Sequence, residues 1–362
     1  MAQGNIKYVY PGGNTAQGFY SFYRSGLQGM EHVFILKGGP GTGKSTLMRK
    51  IGLAMLDRGF DVEFWQCSSD NDSLDGVLIP ALKAAVIDGT APHIVDPRYP
   101  GVVDQIVNLG DCWKEEVLQA QGEEIKDLAD RISNCFSTAY TYLKAAKGVH
   151  DDWEAINSAA LDTKMADRVA EELVEEIFQD NKPVVRHLFA SAITPKGMMN
   201  YIDNITGDCQ ARYIIKGRPG TGKSTLTKKV MQAAIDRGLN IDVYHCSLDP
   251  DSIDMLVIPI LGVAVIDGTP PHEIDPHRPG DKVIDMLGCL DLEEVNKKAD
   301  KLAEMENKFQ YLTGEAVKNL AQAKKLHDEL EGFYIKAMDF EAINKIRTKI
   351  FNKILLLEAD MK

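Results

Sequence analysis

The 362-residue sequence predicts an α/β fold built twice over: two tandem domains, each a parallel sheet with helices on both faces, each followed by a long helical hairpin. Three observations carry this expectation. Lys44 and Lys223 lie 179 positions apart, and the same offset pairs Gly18 with Gly197, Cys67 with Cys246, Asp70 with Asp249, Pro80 with Pro259, Asp88 with Asp267, His93 with His272 and Asp96 with Asp275. Self-similarity at one fixed offset marks a duplication. Short β-rich runs alternate with amphipathic segments, the pattern of strands joined by crossover helices. From about Asp111 to Asp180, and again from Asp291 onward, apolar residues step by three and four, as in helices packed lengthwise. The resulting boundaries are residues 1–110 for the first core, 111–182 for its hairpin, 183–290 for the second core and 291–362 for the C-terminal hairpin.

Each core reads strand, helix, strand, loop, helix, strand, helix, strand. Val33–Lys37 and Arg212–Lys216 are β-rich runs that stop at glycine, as buried parallel strands do. The segment after Lys44 places Leu47, Ile51, Ala54 and Met55 on one helical face and closes on Gly59. Asp61–Ser69 is the next strand; Asp72 or Ser73 then caps a helix leading into Pro80, and Ala84–Gly89 is the strand that follows. GFYSFYRSG, Gly18 to Gly26, could stack on adenine, but its counterpart GMMNYIDNI favours a helix face that packs.

In the first hairpin Ile125, Leu128, Ile132, Cys135, Ala139, Tyr142 and Ala146 form one seam, a turn falls at Lys147 to Asp151, and Trp153, Ile156 and Ala160 lie on the return helix. AAKGVHDDWE at Ala145 aligns with QAKKLHDELE at Gln322, so the repeat runs through the helical sections. A helix of about 34 residues would extend roughly 50 Å. The hairpins either bury one another as a bundle or project as arms, where they are candidates for docking a protein partner or a second copy.

Composition excludes several classes. With 53 acidic and 41 basic residues the net charge is −12, so nucleic acid is not a favoured partner. No apolar run approaches the roughly 20 residues of a membrane span, and the N-terminus lacks a secretory signal; a soluble, cytoplasmic protein is expected. Six cysteines without C-x-x-C spacing imply neither a zinc ribbon nor a disulfide framework.

The chemistry concentrates in two glycine-rich loops. Gly38, Gly39, Pro40, Gly41, Thr42, Gly43, Lys44, Ser45 and Thr46 match G-x-x-x-x-G-K-[ST], as do Gly217, Arg218, Pro219, Gly220, Thr221, Gly222, Lys223, Ser224 and Thr225. In such phosphate loops backbone N–H groups cradle phosphate oxygens, the lysine reaches the β- and γ-phosphates, and the serine holds Mg²⁺. The expected fold is therefore a P-loop NTPase in each half, with ATP and Mg²⁺ as ligands. Asp88 and Asp267, each ending an apolar run, are the candidate metal acids. Glycine follows both, not the water-activating glutamate of many motor-type ATPases, so catalytic groups are sought elsewhere.

Asp70 and Asp249 lie in the loop after the next strand, placed to orient a water or accept a proton, with Asp72 and Asp251 divided between chemistry and capping. A calcium loop is excluded by the spacing and by the missing closing glutamate. DGTAPHIVDPRYPG and DGTPPHEIDPHRPG follow the metal acids; their prolines stiffen a loop that brings His93 and His272 toward the γ-phosphate, unless these histidines, with Asp96 and Asp275, only bond the loop to itself. No other histidine or cysteine stands nearby at zinc spacing. Arg218, where the first loop has Gly39, is either a surface charge or a group acting on a nucleotide.

GGPGTGKST with AVIDGTAPH, then GRPGTGKST with AVIDGTPPH, resembles an uncharacterised bacterial family of tandem P-loop ATPases. That resemblance implies ATP binding and hydrolysis at each half. The partitioning-type ATPases are set aside, because Gly39 and Arg218 stand where their signature lysine would be; the guanine-reading N-K-x-D of GTPases is absent, since NKKAD at Asn296 is one residue too long. The leading expectation is an Mg²⁺-dependent ATPase, with Lys44, Asp70, His93, Lys223, Asp249 and His272 as catalytic candidates and nucleotide state coupled to the hairpins. A small-molecule or nucleotide kinase is the alternative, weakened because only Arg131 and Arg168 occur between Asp111 and Asp180. A non-hydrolysing scaffold gated by ATP or ADP is the third reading.

Overall fold

The computed structural model describes residues 3–177, 184–270 and 273–360. In the first copy the elements are β1 (Ile6–Val9), β2 (Gly12–Thr15), β3 (Gly18–Ser21), α1 (Tyr23–Gly26), β4 (His32–Lys37), α2 (Lys44–Leu56), β5 (Val62–Gln66), β6 (Leu74–Ile79), β7 (Ala84–Asp88) and β8 (Asp104–Asn108). Helices α3 (Glu115–Gln119), α4 (Gly122–Ser158) and α5 (Thr163–Ile177) follow. The second copy repeats them as β9 (Val185–Leu188), β10 (Ser191–Thr194), β11 (Gly197–Asn200), α6 (Ile202–Ile205), β12 (Ala211–Lys216), α7 (Lys223–Asp236), β13 (Ile241–His245), β14 (Ile253–Ile258), β15 (Val263–Asp267) and β16 (Asp281–Asp285). It ends with α8 (Leu292–Asn296), α9 (Ala299–Ala337) and α10 (Phe340–Asp360).

Two compact units form, and each is assembled from separate stretches of the chain. The first comprises Met1–Gly12, Ser21–Thr138 and Lys318–Lys362; the second comprises Gly13–Tyr20 and Ala139–Val317. The first has a six-stranded sheet of order β1-β5-β6-β7-β4-β8, and the second has the same order in β9-β13-β14-β15-β12-β16.

The sheets are mixed, not parallel as expected. β6 runs antiparallel to both β5 and β7, and β14 to both β13 and β15, while the other pairings are parallel. The error lay in the segment before Pro80, read as a helix capped by Asp72 or Ser73. Leu74, Val77 and Ile79 instead meet the α2 core, and all six residues of β6 are buried, which suits a central strand. Pro80 opens only one 3₁₀ turn, Pro80–Leu82. Gly18–Ser21 likewise belongs to a two-stranded hairpin with β2, not to a helix, and β11 pairs with β10 in the same way.

In the first unit α2 and α10 share one face of the sheet, where Met48, Ile51 and Met55 pack with Phe34, Phe64, Val77, Ile343, Ile350 and Ile354. Each such buried side chain stabilises by about 1.5–3 kcal/mol relative to exposure. In the second unit α7 and α5 play the same parts, with Leu226, Val230 and Ala234 against Ala170, Leu173, Val243 and Leu256. The helices of these two main cores therefore lie together on one face of each sheet.

The turn expected at Lys147 to Asp151 is absent: α4 continues unbroken to Ser158. Gly148 is tolerated within it at a cost of only about 1 kcal/mol, and no proline interrupts the hydrogen-bond ladder. The chain reverses at Asp162, whose carboxylate accepts the N–H groups of Lys164 and Met165 and so caps α5. Asp339 caps α10 in the same way through Glu341 and Ala342. Within the first unit α4 packs on α9 through Leu128, Ile132, Leu326 and Leu330. Within the second, Trp153 and Ile156 of α4 pack against Val295 and Leu302. Among the described residues no helix is long and apolar enough to cross a membrane.

Candidate functional site

Residues 38–43 join the end of β4 to α2. Gly41 and Gly43 have φ of 69° and 85°, the left-handed region that a Cβ disfavours, and Gly220 and Gly222 match them at 82° and 84°. This backbone delivers Lys44 and Lys223 as the first residues of α2 and α7. The Lys44 Nζ donates to the carbonyl oxygens of Gly38 and Gly39, both at 2.8 Å. Lys223 does the same to Gly217 and Arg218 at 3.0 Å. Thr42 and Thr221 are buried and brace the loops by donating to Gly39 O and Arg218 O. Pro40 and Pro219 lie half-buried in the loops, whereas Thr46 and Thr225 are exposed in the first helical turns and Arg218 is exposed.

Asp88 ends β7 beside β4, in register with Leu36, and its Oδ2 lies 3.5 Å from Lys44 Nζ. Asp267 lies 3.7 Å from Lys223. The other oxygen of each aspartate accepts from the N–H and hydroxyl of Thr90 or Thr269, which fixes its orientation. Ser45 Oγ accepts the Leu74 N–H at 2.9 Å and Ser224 Oγ that of Ile253 at 3.4 Å.

Asp70 pairs with Lys324 of α9 at 3.2 Å, and Asp249 with Lys147 of α4 at 3.1 Å. Asp72 caps no helix: its carbonyl accepts from Arg49, and Asp251 accepts from Gln17. His93 is buried. Its Nε2 lies 3.5 Å from Asp75 Oδ1, and its ring stacks on Tyr23, which in turn meets Trp65 edge-on. Burial pushes the Asp75 carboxyl up to about 6, opposed by the neighbouring His93 and reinforced by Asp88. The proline loop itself is held by Lys37, which donates to Gly89 O and Val95 O at 2.7 and 3.0 Å and pairs with Asp96; Lys216, Gly268, Ile274 and Asp275 repeat the arrangement. His272 lies outside the described residues.

One further set of residues meets the loops. The aligned segments read K-x-x-H-D-x-x-E, as Lys147, His150, Asp151 and Glu154 on α4 and Lys324, His327, Asp328 and Glu331 on α9. In the first unit Glu331 Oε1 accepts the Gly41 N–H at 3.2 Å, and a Cβ on Gly39 would strike the Tyr334 ring at 2.4 Å. In the second unit Asn157 donates to Pro219 O, Ser158 donates to Gly220 O at 3.2 Å, and a Cβ on Gly220 would strike Glu154 O at 2.4 Å. Burial lowers the pKa of His150 and His327, with Glu154 and Glu331 opposing it. Burial also works against the charge of Lys324, but Asp328 and Asp70 outweigh it and hold the ammonium above the ordinary lysine value. The signal was present as four polar residues at i, i+3, i+4 and i+7, one helix face, repeated in both copies.

No protein-family model matches the chain, and no curated protein or solved structure matches it. The arrangement is defined by its own geometry: two similar mixed α/β units, each with a glycine loop, a loop lysine against a strand-end aspartate, and a long helix laid across the loop.

Proposed function

We propose that the chain is an Mg²⁺-dependent ATPase of the tandem P-loop kind, with one nucleotide site in each unit. The observation that carries the reading is the meeting of loop lysine and strand-end aspartate, Lys44 with Asp88 and Lys223 with Asp267, each across a β-strand, left-handed glycine turn and helix. An ammonium bonded, among the described residues, to loop carbonyls and one carboxylate suits an exchange in which phosphate oxygens take over those bonds. The oxygen donors of Ser45 with Asp88, and of Ser224 with Asp267, fit a hard divalent cation, and these residues would hold Mg²⁺. When bound, the ion neutralises charge on the phosphate oxygens. The loop N–H groups and the α2 and α7 N-termini orient the triphosphate. Asp70 and Asp249, paired with Lys324 and Lys147, are acceptors suited to orienting the attacking water.

The helical sections then report nucleotide state, since α9 and α4 lie on the loops that ATP or ADP would enter, and through them a protein partner or second copy could be engaged. Phosphate release tests the reading. Lys44→Ala and Lys223→Ala are each expected to retain about half the turnover, and the double variant none. Release that depends on a metabolite which itself gains phosphate would make the chain a kinase; ATP uptake without turnover would make it a scaffold.

A further inference from the structure

Cys67, Asp75 and His93 come from three different segments: the residue after β5, the start of β6 and the proline loop after β7. All three are buried, at 7%, 3% and 6% exposure, and one ligand atom from each lies within 4.8 Å of the others. The His93 Nε2 to Asp75 Oδ1 distance of 3.5 Å is about that between two donors sharing a tetrahedral ion at 2.0–2.3 Å. The Cys67 thiol and Tyr23 hydroxyl both lie against Asp75, and the Tyr23 ring also stacks on the His93 imidazole. This is an S, N, O donor set inside an apolar surround of Trp65 and Tyr23, where a carboxylate and a thiol gain little by standing alone. The set differs in donor type from the nearby Ser45 and Asp88 oxygens, whose hardness suits magnesium. The sequence repeats the three donor types as Cys246, Asp254 and His272.

We propose that Cys67, Asp75 and His93 bind a zinc-class divalent transition ion, which pins the proline loop to the sheet. The donor set selects such an ion over magnesium or calcium, because thiolate and imidazole are poor ligands for hard cations. Binding displaces the thiol proton to solvent, leaving a metal–thiolate bond. Tyr23 orients both the carboxylate and the imidazole, as partners of metal ligands commonly do.

The test uses the full-length chain in a Cys246→Ala background, stripped with chelator, dialysed and titrated with Co²⁺ and then Zn²⁺. A thiolate-to-cobalt charge-transfer absorption saturating at one equivalent is expected, lost on zinc competition. The half-buried clusters around His150 and His327 contain no sulfur and cannot produce that absorption. Cys67→Ala should abolish it, and Tyr23→Phe should weaken cobalt binding roughly tenfold while leaving the band shape unchanged. Cys67→Ser, close in size, guards against loss by misfolding: its circular dichroism should match the parent while the absorption is gone. Absence of the band in the folded parent, or its survival in Cys67→Ser, overturns the proposal.

Discussion

Glu331 places its carboxylate on the backbone N–H of Gly41, 3.2 Å away, in the glycine loop of the first unit. An anion of this chain thus uses a donor that a phosphate would use. A hydrogen bond to a charged group contributes about 1.5–3 kcal/mol, and 1.4 kcal/mol is tenfold in affinity. Glu331→Gln is expected to tighten ATP binding at the first site by about tenfold. Titration of that variant in a Lys223→Ala background checks it; unchanged or weaker binding would show that Glu331 assists the nucleotide and does not compete with it.

The two copies differ where loop and helix touch. Gly39 faces Tyr334, whereas Arg218 and Asn157 hold the corresponding positions. Adding a Cβ at Gly39 forces the tyrosine ring aside, an overpacking worth about 1–3 kcal/mol. Gly39→Ala should lower stability by that amount, and Tyr334→Asn in the same chain should restore most of it. A double-mutant cycle in denaturant with no coupling would contradict the contact.

Acid should act on the second unit through a histidine pair. His187 Nδ1 and His245 Nε2 lie 2.7 Å apart, and the positions hold Tyr8 and Gln66 in the first copy. Burial, with the charge of His187 adding to it, holds His245 down to about 4 against an ordinary 6.5. The unfolded chain therefore takes up this proton first as pH falls. Stability contributed by the neutral pair is complete above 6.5 and declines between 6.5 and about 4, by roughly 2 kcal/mol once partial exposure is allowed for. Thermal melts from pH 7 to 4 should show this loss, and His245→Gln should flatten it.

Much of this architecture was legible in the residues. The glycine loops, β4, α2, the strand ending at Asp88 and the duplication follow from local pattern and one offset. β6 was misread because Asp72, Ser73 and Pro80 imitate a helix start, while the burial that decides for a strand comes from β5 and β7 on either side. The turn at Lys147 was misplaced because Gly148 breaks a helix only weakly, and the stop belongs to the Asp162 cap. The K-x-x-H-D-x-x-E face stood in plain view, yet its meaning depends on loops far off in sequence: Glu331 meets Gly41, and Asn157 meets Pro219. Such pairings are set by tertiary packing and leave no mark in local composition.

Calorimetric titration of Mg²⁺-ATP into the full-length chain tests the central claim most directly. Two equivalents should bind, falling to one in Lys44→Ala, to one in Lys223→Ala and to none in the double variant. A folded chain that takes up no ATP, or a double variant that binds as the parent does, would contradict the account.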